Sequence, residues 1–116
     1  MEGLMKTTVY GASGTSYPGQ LLPLGDNLGK IECVYIIIAY QPQSREYGTV
    51  YVGETTNLAA HVAGHPKKGR WKREGASHIA VYRTRSTEKR RREIVRDILE
   101  QYHCPCNDED CEDGEV

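Results

Sequence analysis

Two phenols stand in facing apolar runs, Tyr35 within Cys33-Val34-Tyr35 and Tyr51 within Thr49-Val50-Tyr51-Val52-Gly53. Two imidazoles, His61 and His65, follow at a spacing of four. Phenols and imidazoles gathered on one sheet can relay protons or hold a phosphate. A phenol gives up its proton near pH ~10, so it serves as a base at neutral pH only beside a cation or metal. Imidazoles protonated at about pH 6 to 7 would contact phosphate directly. With His78 they offer a second possibility, a three-histidine metal site, although no carboxylate or thiolate accompanies them. The other cluster is His103, Cys104, Cys106 and Cys111. Its spacing departs from two separated Cys-x-x-Cys knuckles, which disfavours structural Zn²⁺ at Cys104, Cys106 and Cys111.

The elements that must carry these groups follow from local pattern. The β-branched and aromatic run over 33–40 predicts a strand, and Pro42, Ser44 and Gly48 close a hairpin onto a second strand over 49–53. Thr55 or Thr56 then caps a helix over 57–63, which Gly64 and Pro66 end. A loop of Lys, Arg, Gly and Trp leads to a third strand over 77–83. Ser86 or Thr87 caps a last helix reaching Tyr102, with Ile94, Val95, Ile98 and Leu99 on one face. Residues 1–30 are crowded with turn signals, Pro18-Gly19 among them, and read as an arm or loop with a short strand at 7–10. The expected fold is α+β, a small three-stranded, mainly antiparallel sheet flanked by helices.

A chain of 116 residues has room for one modest core. No apolar run is long enough to span a bilayer, and the first residues lack a secretory-signal pattern, so a cytoplasmic protein with reduced thiols and no membrane partner is expected. The net charge of −1 conceals a separation. Residues 61–106 carry twelve Lys/Arg against five Asp/Glu, and residues 107–116 carry six acids and no base. Such a basic middle, with Trp71 set among Lys and Arg, is the footprint of a nucleic-acid binder, DNA first. The acidic tail over 108–116 reads as disordered and able to compete for the basic face.

The ordered landmarks Cys33-Val34-Tyr35, Tyr51-Val52-Gly53, Asn57-Leu58, His65, and a late helix followed by Pro105-Cys106-Asn107 resemble the GIY-YIG nuclease superfamily over residues 31–107. The resemblance implies phosphodiester hydrolysis with one Mg²⁺ or Mn²⁺. In it Tyr35 relays a proton from the attacking water, Tyr51 and His65 orient the site, and Asn107 holds its edge. Lys67, Lys68, Arg70, Arg73, Arg91, Arg92 and Asn107 are the residues expected to meet nucleic acid.

Three positions depart from the family pattern. Cys33 stands where the family often has Gly. His61 occupies the place of an Arg eight residues after the motif Gly, and the place of the metal-binding Glu falls on Val95. Glu93 is the nearest carboxylate, but two residues along a helix is a turn of about 200°. Protonated His61, or Arg70 or Arg73 from the loop, could replace the Arg, and Glu93 the Glu. Losing one such stabilising donor costs about a hundred- to a thousandfold in rate. The alternatives are therefore a metal-dependent endonuclease and a catalytically degenerate binding or adaptor module.

Overall fold

The run Cys33-Val34-Tyr35-Ile36-Ile37-Ile38 is apolar at odd and even positions alike, as a strand covered on both faces must be. The computed structural model describes residues 5–25, 28–41, 43–44 and 46–107. In chain order it contains strands β1 (Met5–Tyr10), β2 (Ser16–Pro23), β3 (Cys33–Gln41) and β4 (Glu46–Thr55), helices α1 (Leu58–Ala63) and α2 (Lys68–Arg73), strand β5 (Ala76–Arg83), helix α3 (Glu88–Gln101) and a 3₁₀ turn (Pro105–Asn107). The strands form one antiparallel sheet in the order β1-β2-β5-β3-β4.

Five strands replace the expected three. The segment read as an arm supplies β1 and β2, and Pro18-Gly19 lies within β2 rather than at a turn. A β-carbon on Gly19 would stand 2.3 Å from the Val81 carbonyl oxygen, so glycine is what lets β5 approach. The basic loop expected after Pro66 is partly helical, as α2. Asn57, not Thr55 or Thr56, caps α1, its side chain accepting from the Ala60 N–H at 3.3 Å, and Thr87 caps α3 as expected.

The sheet separates two cores. Cys33, Tyr35, Ile37, Ile79 and Val81 face Leu58 and Val62 of α1 and Trp71 of α2. Val34, Ile36, Val52 and Ala80 face Ile94 and Ile98 of α3. The β3–β4 register skips Val50, and this bulge lets Val50 and Tyr51 share the α1–α2 side. None of the helices in the described residues is long and apolar enough to cross a membrane.

Candidate functional site

Strand alternation and register bring the predicted rings together. Tyr35 pairs with Gly53 and Ile37 with Tyr51, which makes the two phenols diagonal neighbours on the α1–α2 face, 6.2 Å between ring centroids. His61 lies on α1 and His65 just beyond its C-cap Gly64, not on the helix, and their rings lie 5.2 Å apart. His61 meets Tyr35 at 5.6 Å, and His65 meets Tyr51 at 4.9 Å. Trp71 of α2 closes the group, 4.5 Å from His65 and 5.4 Å from Tyr51. Lys67 reaches over Tyr51, its Nζ 5.7 Å from the ring centre, and donates to the Cys106 carbonyl at 2.7 Å.

The interior of this cluster is neutral. Tyr35 has no exposed surface, and its hydroxyl has no hydrogen-bond partner among the described residues. Burial, reinforced by Tyr51, Cys33 and Glu54, raises the Tyr35 pKa far above that of an ordinary phenol. Burial likewise lowers His65 to about 4, helped by His61 and Lys67. His65 Nδ1 accepts the Lys67 backbone N–H at 3.0 Å, which leaves the ring proton on Nε2. Burial therefore opposes the expected contact of a protonated His65 with phosphate near neutral pH. Cys33 is pushed up to about 12 by burial, so its thiol keeps its proton.

A hard divalent cation needs anionic oxygen, and among the described residues the ring cluster supplies none. Glu54 follows Gly53 but belongs to the opposite face, where its carboxylate accepts from Arg91 Nε at 2.7 Å. Glu93 lies exposed on α3 and pairs with Lys89 at 3.7 Å and Arg90 at 3.3 Å. The described residues around Tyr35 thus offer Mg²⁺ or Mn²⁺ no carboxylate. Among the described residues no three His, Cys, Asp or Glu side chains cluster as metal ligands. His78 lies apart from the other histidines, against Tyr47 and the Ser77 hydroxyl. Cys104 and Cys106 are buried, while Cys111 and the acidic tail lie outside the described residues.

The basic residues divide by partner. Lys68, Lys72 and Arg73 are exposed on α2, and Arg70 pairs with Glu74 at 3.3 Å. Arg92 is exposed and bound to Glu88 at 2.5 Å. Arg91, expected on the nucleic-acid surface, is instead buried. Its guanidinium bridges Glu54, Glu32 at 2.5 Å and the Ser86 carbonyl at 2.5 Å, tying α3 to β4 and to the chain before β3. Helical spacing alone made Arg91 one of a run of four cations. Only the position of Glu32 and Glu54 in space reveals its use.

Asn107 also has a different use from the one expected. Its Oδ1 accepts the Val52 N–H at 2.7 Å and its Nδ2 donates to the Val52 carbonyl at 2.9 Å. One side-chain amide therefore completes the outer edge of β4 as a neighbouring strand would. In the sequence Gly53 figures only as a motif landmark, and Asp97 has no role there. Gly53 is the space that the Tyr35 hydroxyl fills, and Asp97 accepts from the Tyr17 hydroxyl at 2.6 Å and from both the backbone and side chain of Ser13. The Tyr-x-Gly spacing in β4 carried a signal for the first; nothing local marked the second.

Compared with protein-family models, with curated proteins and with solved structures, this chain matches none.

Proposed function

We propose that this domain binds nucleic acid, DNA first, on a GIY-YIG-like scaffold and has lost efficient phosphodiester cleavage. The observation that carries the reading is the Tyr35 hydroxyl, fully buried, with neither a hydrogen-bond partner nor a carboxylate beside it among the described residues. Desolvation holds the proton on this oxygen, so it is a poor relay for an attacking water. The exposed cations Lys68, Lys72 and Arg73 beside the ring cluster support attraction of a polyanion.

The endonuclease reading draws on a different observation, the meeting of Tyr35, Tyr51, His61 and His65 on one face of the sheet. Incubating branched, nicked and plasmid DNA with the protein and Mg²⁺ or Mn²⁺, wild type beside Tyr35→Phe, separates the two. Salt-dependent retention of DNA without strand breaks is the expected result. Cleavage that disappears in Tyr35→Phe would overturn the binding-module reading and establish the enzyme.

A further inference from the structure

The cations of this chain fall into paired and unpaired sets. On α3, Lys89, Arg90, Arg91 and Arg92 each face a carboxylate of Glu93, Glu88, Glu54 or Glu32. Besides Lys68, Lys72 and Arg73 of α2 and Arg96 of α3, Lys6, Lys30, Arg83 and Arg85 are exposed and have no ion pair among the described residues. These four are not scattered. Lys30, Arg83 and Arg85 line one open groove with Thr56 and Thr84, and Lys6 and Arg83 line a second with Thr8 and Gln20. The two grooves share Arg83 and so form one track.

Register fixes where the track runs. Lys6 stands across from Gln20, Gln20 from Val81, and Val81 from Tyr35, so all four lie in one cross-strand row on one face. Arg83 is two residues further along β5. With strands about 4.8 Å apart and a rise of about 3.4 Å per residue, the Cα atoms of Lys6 and Arg83 are about 12 Å apart. The one carboxylate in the track, Glu32, is occupied by Arg91 and the Ser86 N–H. What remains is a row of unneutralised cations separated by neutral hydroxyl and amide groups.

We infer that this groove is a second binding track, for the phosphate backbone of nucleic acid, leading across β1, β2 and β5 toward the Tyr35 side of the sheet. The inference rests on the nucleic-acid reading and adds to it a surface remote from α2. Arg guanidinium forks and Lys ammonium groups bind phosphate oxygens, and Thr and Gln add neutral donors along a backbone. An anionic lipid surface would also call for a cluster of exposed aliphatic or aromatic residues to insert, whereas the two linings offer Pro18, the half-buried Ile31 and the buried Val81 among Thr7, Thr8, Gln20, Thr56 and Thr84.

The test is the salt dependence of binding to labelled duplex and single-stranded oligonucleotides. Arg83→Gln/Arg85→Gln is compared with Arg90→Gln/Arg92→Gln, which changes net charge equally at residues already ion-paired. The first variant should lower the slope of log K against log salt by about 1.4 to 1.8, the loss of two phosphate contacts, and weaken binding about tenfold or more at low salt. The second should leave the slope nearly unchanged. All four positions are exposed, and thermal melts establish that each variant is folded. Wild-type binding with an unaltered slope in the first variant, or an equal drop in both, overturns the track and leaves the nucleic-acid reading standing. If the wild type binds no oligonucleotide, both fall. Anionic vesicles (phosphatidylserine with phosphatidylcholine) are the remaining arm, and capture by them in place of oligonucleotides also overturns the track.

Discussion

The Tyr35 hydroxyl lies over the α-carbon of Gly53, its cross-strand partner, so closely that a β-carbon there would stand 2.6 Å from the oxygen and 2.7 Å from the ring carbon bearing it. Glycine at 53 is thus a steric condition for a phenol at 35. Gly53→Ala should destabilise the fold by about 1–3 kcal/mol, the range for an overpacked core, since both strands are constrained by their neighbours. Urea unfolding measures it; an unchanged midpoint would mean that the phenol can leave its place at no cost.

Tyr35→Phe removes a buried hydroxyl that has no partner among the described residues. Leaving such a group unsatisfied costs about 1–3 kcal/mol, so the Phe variant should be as stable as wild type or up to about 1 kcal/mol more stable. A loss exceeding 1 kcal/mol would show that the hydroxyl is satisfied in solution.

Acidification should expose His65. Its folded pKa is depressed to about 4 from an ordinary 6.5, so between those values the unfolded chain binds the extra proton and the native chain does not. Stability therefore declines as pH falls from about 6.5 to about 4, and this contribution is constant above and below that window. His65→Gln should flatten the decline. Melting temperatures across the window provide the comparison, and equal slopes for the two proteins would refute the assignment.

Arg91→Ala leaves Glu32 and Glu54 without their shared partner. Breaking a fully buried pair costs about 3–5 kcal/mol; here Glu32 keeps 32% of its side chain exposed, and about 2–4 kcal/mol is expected. Nucleic-acid affinity of the folded fraction should be unaffected, because this guanidinium faces inward. A selective loss of affinity with normal stability would return Arg91 to the binding surface.

Asn107→Ala should release the 3₁₀ turn from the β4 edge and strip the Val52 amide of its acceptor. A cost of about 1–3 kcal/mol and faster hydrogen exchange at Val52 are expected. Protection retained at that amide would indicate another partner.

Much of the architecture could be read before the coordinates, where pattern and period agree. α1 and α3 carry the 3.6 periodicity of one buried face, while β3, β4 and β5 are marked by short β-branched and aromatic runs, β3 buried on both faces, and the meeting of Tyr35, Tyr51, His61 and His65 follows from these elements. β1 and β2 were illegible because Pro18-Gly19 has the chemistry of a turn, and only the approach of the Val81 carbonyl explains glycine within the strand. The fate of Arg91, Asn107 and Asp97 was illegible for another reason. Each is defined by a partner 37 to 84 residues away in sequence, and local propensity contains no term for such a partner.

The position of β2 bears on the order in which this chain can assemble. Its partners are β1 and β5, and Gln20 meets Val81 only after about sixty residues have intervened. The β3–β4 hairpin closes over a few residues and pays little entropy for doing so. During synthesis the amino-terminal hairpin must therefore wait, with one strand edge open, until β5 emerges. A late kinetic phase that reports on Tyr17, after signals from the β3–β4 pair have reached completion, is the signature this topology imposes.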